Sequence, residues 1–343
     1  MIKMQIKNIK GNNYLYLSEN CKVNSKSLPV SLYIGRIEKI DINAFLDKLH
    51  EFTPLKLKKI LDYRVAHYPA TFLDKENLTS LETLRFYYAE FREIYPDESI
   101  RYVDSVFVRY VQGTTAIEGN TISPQEAQEL LDHDISPAGK KVSEVYEILN
   151  FVRLRDFLLT YSGDISEKLI KMMHSLLMEN LMRTPGNYRQ IQVGIEKVDY
   201  EPPPAIFVPD MMKDLITWYR KEAKSRHPFE LAVELHTRFE LIHPFSDGNG
   251  RVGRALMNLV LEKAGYPTLY LGLPHRLQYL DAVKPADDGN LEPIIATLYY
   301  IYVDQHEQVV GQVRQKMGVG SLKREAELLV KEFARLMKKW DED

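Results

Sequence analysis

His243-Pro-Phe-Ser-Asp-Gly-Asn-Gly-Arg-Val-Gly-Arg254 lies between two stretches of helical period. Upstream, Pro228 to Ile242 repeats apolar residues three and four apart. Downstream, Val252 to Lys263 does the same, with Leu256, Leu259 and Val260 on one side. The intervening residues therefore form a tight glycine-rich loop that opens a helix. Backbone N–H groups and the positive end of the helix dipole collect at such a point and favour a phosphate. Gly248 and Gly250 permit the close approach a phosphate cradle needs. Around the cradle stand a carboxylate, Asp247, suited to a magnesium ion on phosphate oxygens, and two guanidinium groups, Arg251 and Arg254, suited to gripping phosphates. His243 is the side chain fitted to take a proton from a hydroxyl near neutral pH. The inventory is that of phosphoryl or nucleotidyl transfer, in which positioning and charge neutralisation dominate.

Residues 243–254 match the Fic motif H-x-F-x-D/E-G-N-G/K-R-x-x-R at every defined position, and Leu256-Met257-Asn258 with Ala264-Gly265-Tyr266-Pro267 is similar to Fic proteins too. Thr114-Thr-Ala-Ile-Glu-Gly-Asn120 resembles the inhibitory motif S/T-x-x-x-E-G/N, placed upstream as in members with an N-terminal inhibitory helix (class II). The resemblance covers roughly residues 99–304, and more weakly the strand-rich lead-in at Tyr14 to Gly35. It implies a self-inhibited protein adenylyltransferase, moving AMP from Mg-ATP to a Ser, Thr or Tyr hydroxyl of a target protein and of itself. In that reading His243 is the base and Asp247 holds Mg2+. Gly248, Asn249, Gly250 and Arg251 cradle the α- and β-phosphates, Val252 and Gly253 count with them as nucleotide-binding residues, and Arg254 holds the γ-phosphate unless Glu118 pairs with it first. A carboxylate on Arg254 removes a cation the triphosphate needs and adds repulsion. A displacement of the α-phosphate by about 1 Å can cost around 100-fold in rate.

Resemblance also gives Val193, Gly194, Ile195 and Glu196 to a flap over the nucleotide, and Tyr279 and Asp287 to nucleoside contacts. The flap would receive an extended target segment by β-augmentation. A homodimer that steadies the inhibitory helix is a further implication. Two other readings stay open: removal of AMP by the same site, with Glu118 activating water, and a non-enzymatic nucleotide-sensing regulator.

The fold expected is mainly α: a helical Fic core with a β-hairpin flap, a small α/β N-terminal region at 1–75 and a C-terminal helical extension at 311–343. The core spans 76–310, with the inhibitory helix at about 98–118. Helices are expected at Ile42 to Glu51, Pro54 to His67, Lys75 to Ile94, Val142 to Thr160 and Leu291 to Lys316, among others, and Ser123-Pro-Gln-Glu126 reads as a capping box. Arg189 to Val208 reads as the hairpin: Ile191, Val193 and Ile195 alternate with polar residues, and Ile206-Phe-Val208 follows a proline-rich reversal. The last helix carries Leu322, Ala326, Leu329, Phe333, Leu336 and Trp340 on one stripe, expected to dock on the protein's own body or a second copy rather than begin a winged helix.

The 343 residues carry 45 Lys and Arg against 48 Asp and Glu, a formal net charge of -3, which argues against a dedicated nucleic-acid binder. One cysteine, Cys21, excludes an internal disulfide and a Cys-rich zinc site. The N-terminal MIKMQIKNIK has no apolar block of the signal-peptide kind, and no stretch approaches the roughly 20 apolar residues of a membrane span. A cytoplasmic protein is expected. His236 shares a helical face with His243, but the spacing lacks a third metal ligand, and His174 among Met172, Met173 and Leu176 reads as a core histidine.

Overall fold

A computed structural model describes residues 2–23, 26–194, 200–284, 286, 289–317 and 321–342, with the backbone alone at 314–317, 321–327 and 339–342. These residues divide into two compact units. One comprises residues 1–67, 75–94 and 306–343, the other 68–74 and 95–305. The units cut across the boundaries expected at 75 and 310, because helices from the middle and end of the chain join the N-terminal sheet.

In the first unit, β1 (Lys3–Ile9), β2 (Asn12–Val23) and β3 (Lys26–Arg36) form an antiparallel sheet in the order β1-β2-β3. Lys10 and Gly11 both take positive φ, 53° and 81°, the two-residue turn whose twist suits a hairpin. Alternation then decides the faces: Leu15, Leu17, Cys21 and Val23 on β2 and Val30 and Ile34 on β3 are buried. Helix α1 (Ile42–His67) covers them with Phe45, Leu49, Phe52 and Ile60. The two helices expected either side of Thr53 are one, running through Pro54. The buried stripe continues across the proline, and this packing outweighs the lost N–H. Helix α2 (Lys75–Ile94) packs on α1, and the buried Arg64 and Glu82 of these helices pair at 2.5 Å.

The last helix, α12 (Ser321–Glu342), places Leu329 and Phe333 in the same core, with Phe333 stacked on Phe45 at 4.5 Å between ring centroids. Through these two residues it docks on the chain's own body, one of the two placements its stripe allowed, while the side chains of Leu322, Ala326 and Trp340 lie outside the described ones.

The second unit is helical: α3 (Pro96–Glu118), α4 (Pro124–His133), α5 (Val142–Thr160), α6 (Glu167–Leu177), α7 (Val208–Glu222), α8 (Pro228–Ile242), α9 (Asn249–Lys263), α10 (Leu273–Val283) and the first part of α11 (Glu292–Met317). The α8–α9 pair forms its centre, buried on nearly every side. The Ser123 capping box starts α4 as expected. Gly113 lets α3 lie against the chain at Leu271, where an added Cβ would come 2.1 Å from the Leu271 carbonyl oxygen. Glu230 of α8 accepts the N–H groups of Thr71, Phe72 and Leu73 at 2.7–2.8 Å, satisfying a buried carboxylate with backbone donors. Among the described residues, no helix is long and apolar enough to cross a membrane.

The expected hairpin is corrected in part. Arg189–Gly194 and Tyr200–Pro204 hold no strand, and Ala205–Phe207 is a 3-10 turn feeding α7. Pro202, Pro203 and Pro204 lack the N–H a ladder needs, and Pro209 presets the first turn of the helix. Residues 195–199, including Ile195 and Glu196, lie outside the described residues, as does Asp287.

Candidate active site

Helix α8 ends at His243, whose φ of 48° and ψ of 59° turn the chain out of the helix before Pro244. The following loop is closed by Asn249: its side-chain oxygen accepts the Phe245 N–H at 2.9 Å, and its amide donates to the Phe245 carbonyl at 2.8 Å. Phe245 is wholly buried and stacks on His174 at 3.7 Å. His174 is a core histidine that also braces the loop. Its Nδ1 accepts the Gly186 N–H at 2.7 Å, so its Nε2 donates to the Asp247 carbonyl at 3.0 Å. Burial lowers the pKa of His174 to about 4, which keeps this tautomer neutral.

Gly248, with φ of 79°, caps α9 and brings no side-chain oxygen to cover its first-turn N–H groups. Those groups are left without a side-chain cap, an arrangement that attracts anions. A Cβ on Gly250 would meet a Glu118 oxygen at 2.5 Å and an Arg254 nitrogen at 2.9 Å, so the absent side chain is what leaves the cradle its depth. Val252 stands apart from the other motif residues: its side chain is buried and its N–H donates to the Gly248 carbonyl. Gly253 faces the interior rather than the cradle.

The cations are held by specific partners. Arg251, 4% exposed, donates to Asp247 at 3.1 Å and to Glu147 at 3.0 Å, while its Nε is buried without a partner. Glu147 in turn accepts from Asn120, which follows α3. Arg254, 3% exposed, donates through Nε to the Thr114 hydroxyl at 2.6 Å and through Nη2 to the Thr114 carbonyl at 3.0 Å and Glu118 Oε1 at 2.6 Å. Burial works against ionisation of Glu118, but the Arg254 guanidinium, helped by Arg251 and Arg276, holds its carboxyl below the usual range. Gly119, at φ 109°, ends α3 at this point, and Arg276 of α10 donates to the Ile117 carbonyl and pins that end.

Burial pushes the His243 imidazole below its ordinary pKa, and Arg189 adds to this, against the pull of Glu240, Glu118 and Asp247. The ring is therefore neutral at neutral pH and able to accept a proton. Asp247 remains 65% exposed in its side chain. No group of three His, Cys, Asp or Glu among the described residues could hold a metal alone. A single open carboxylate beside a phosphate cradle fits Mg2+ brought with a nucleotide, since that ion keeps waters and phosphate oxygens as ligands.

Tyr279 is 3% exposed and lies 2.7 Å from His236 Nε2, inside the site wall rather than at its surface. Val193 is half-buried, and Gly194 is exposed with open space around its Cα. Arg189 carries no motif signal, yet it organises the approach. It donates to the carbonyls of His243 at 2.8 Å and Pro203 at 2.5 Å, and its N–H donates to Pro244 at 2.9 Å. The same holds for Glu147, whose partners Arg251 and Asn120 come from distant turns of the chain.

Residues 164–261 match the Fic/DOC family. The chain is 30% identical over 244 residues to protein adenylyltransferase fic-1 of Caenorhabditis elegans, covering 69% of this chain and 46% of that one. It is 30% identical over 195 residues to protein adenylyltransferase Fic of Aedes aegypti, covering 55% and 39%. The chain thus spans less than half the length of these curated relatives. The solved structure of C. elegans Fic-1 (residues 134–508) superposes with a TM-score of 0.59 at 23% identity, over 82% of this chain and 80% of that one. A Fic family protein from Desulfovibrio desulfuricans gives 0.61 at 24% identity, over 71% and 77%. These structures share the fold. Residues 164–261 therefore form a Fic/DOC family domain.

Proposed function

We propose that the chain is a protein adenylyltransferase that moves AMP from Mg-ATP to a hydroxyl side chain of a target protein, and of itself, and that Glu118 holds it in check. In the reaction, the target hydroxyl oxygen forms a bond to the α-phosphorus as the bond to the pyrophosphate oxygen breaks. The hydroxyl proton passes to His243, and pyrophosphate leaves. The first-turn N–H groups of α9 and the guanidinium of Arg251 receive the phosphates. Asp247 would hold Mg2+, which supplies charge neutralisation on the phosphate oxygens. Arg254 meets the γ-phosphate once Glu118 has left it. The single buried thiol, Cys21, suits a reducing compartment such as the cytosol.

The observation that carries the reading is the Glu118–Arg254 pair, 2.6 Å long, set over the first turn of the helix that the catalytic loop opens. The carboxylate lies where a phosphate would and engages the cation a phosphate needs. The test is incubation of Glu118→Gly with Mg-ATP labelled on either the α- or the γ-phosphate. The reading expects protein-bound label from the α position only, abolished by adding His243→Ala. Label from the γ position, or transfer that survives His243→Ala, would contradict it.

A further inference from the structure

Beside the base lies a buried carboxyl group that this chemistry leaves without a task. Glu240 sits one helical turn before His243 on α8. Its Oε2 is 4.0 Å from His243 Nδ1, and its Oε1 is 3.9 Å from His236 Nδ1. Glu240 Oε1, His236 Nδ1 and His243 Nδ1 are all buried and none makes a well-formed hydrogen bond, the His243 ring leaning on the backbone of Glu240 and the His236 ring on that of Gly253. Such poorly satisfied polar atoms are costly, since each gives up its solvation unless paired. Their common space is kept open by Gly253: a Cβ there would stand 2.4 Å from Glu240 Oε1 and 2.8 Å from His236 Nδ1.

We propose that the Glu240 carboxyl is a positioning group for the base, bridging the Nδ1 atoms of His236 and His243 so that Nε2 of His243 is presented unprotonated to the incoming hydroxyl. The inference rests on the adenylyltransferase reading for its activity readout, but not for its structural one. The gaps exceed a hydrogen bond by about 1 Å, within reach of a small side-chain rotation or one bridging water. Catalytic hydrogen bonds are commonly long before substrate binds.

The protonation states are consistent with a bridge. Burial, with Glu118 adding to it, raises the Glu240 carboxyl to about 8 despite the nearby Arg254, so it carries a proton at neutral pH. A neutral carboxyl has one donor and one acceptor. Its O–H serves His236 Nδ1, whose pKa burial drives down to about 3, leaving that ring a neutral acceptor. The other oxygen accepts the Nδ1–H of His243. His236 then donates from Nε2 to the Tyr279 hydroxyl at 2.7 Å. The Arg254 guanidinium stands close enough to Tyr279 to oppose the rise that burial gives its hydroxyl pKa. The proposed bridge thus continues through His236 and Tyr279 and ends beside Arg254. The charged and titratable groups facing Glu240 are His236 and His243 from its own helix end, Arg254 of α9, Glu118 of α3 and Tyr279 of α10.

The test compares Glu240→Gln, which keeps one donor and one acceptor in the same shape, with Glu240→Leu, which fills the space without either. Nitrogen-15 NMR of the histidine rings, with His243 assigned through His243→Ala, reads the tautomer of the free protein. The expected result is His243 held as the Nδ1–H form in the parent and in Glu240→Gln, and a mixture of tautomers in Glu240→Leu. In the Glu118→Gly background, Glu240→Leu should lower kcat for AMP transfer about tenfold or more. KM for ATP should change little, and Glu240→Gln should retain most of the rate. An unchanged His243 tautomer in Glu240→Leu would overturn the proposal whatever the activity. So would a Gln variant as impaired as the Leu variant. Absence of AMP transfer in Glu118→Gly itself would instead count against the adenylyltransferase reading, with the NMR result still deciding this one.

Discussion

Glu118 Oε1 lies 2.6 Å from Nη2 of Arg254, a residue 136 positions later in the chain. The contact exists because α3 ends in a left-handed glycine beside the first turns of α9, and because Thr114, one helical turn before Glu118, takes two more bonds from the same guanidinium. One helix end thus engages most of the donor capacity of the guanidinium that the proposed reaction gives to phosphate. Four consequences of the fold and of the site's construction can be measured separately from this contact.

The pH dependence of transfer should show the buried base. A general base works only unprotonated, and burial lowers the His243 pKa from its ordinary 6.5. In the Glu118→Gly background, kcat/KM should therefore fall as pH drops through a midpoint below 6.5. A midpoint above 6.5 would contradict the assignment. His243→Ala should lower the plateau by about 10²–10⁴.

The loop should depend on Asn249 for shape. Asn249→Ala removes both bonds to Phe245 and leaves a buried N–H and carbonyl without partners. The expected cost is about 2 kcal/mol in chemical denaturation, with AMP transfer lost even in the Glu118→Gly background. Stability and activity equal to the parent would show that the loop is held by other contacts.

Gly113→Ala should reverse the usual helix rule. Alanine normally stabilises a helix interior by about 1 kcal/mol over glycine. Here the new Cβ would come 2.1 Å from a backbone carbonyl at Leu271. Backbone cannot move aside cheaply, so a loss of about 1–3 kcal/mol is expected in thermal or denaturant unfolding.

The buried imidazole of His236 should appear in the acid limb of stability. Its folded pKa is about 3 against an ordinary 6.5, so below pH 6.5 the unfolded chain binds a proton that the folded protein refuses. Stability is lost progressively as pH falls from 6.5 toward 3, by up to about 1.4 kcal/mol per pH unit from this group. His236→Gln should remove that part of the slope, read as the difference between the two proteins' stability profiles over this range.

What the sequence made legible is what lies close together in it. Twelve residues from His243 to Arg254 carry the base, the carboxylate, the glycines and both arginines, and the helical period on each side fixes the loop between two helices. Glu118 was legible through the spacing Thr114-x-x-x-Glu118-Gly119. Arg189 and Glu147 were not, because their significance comes from partners that only tertiary packing supplies: the carbonyls of His243 and Pro203, and the guanidinium of Arg251. Glu240 stands one helical turn before His243, and what marks it is the packing that buries its Oε1 beside His236. Alternation at Ile191 and Val193 suggested strands, but the prolines at 202–204 and 209 withdraw the donors of one side and start a helix. Pro54 suggested a break that the buried faces of α1 overrode.

The central claim is that Glu118, by holding Arg254, keeps an otherwise complete site from transferring AMP. Its most direct measurement is intact-mass spectrometry of the parent chain and of Glu118→Gly over a time course with Mg-ATP. The account predicts AMP adducts that accumulate at least about 100-fold faster in Glu118→Gly than in the parent. Equal rates in the two proteins, or faster modification of the parent, would contradict it.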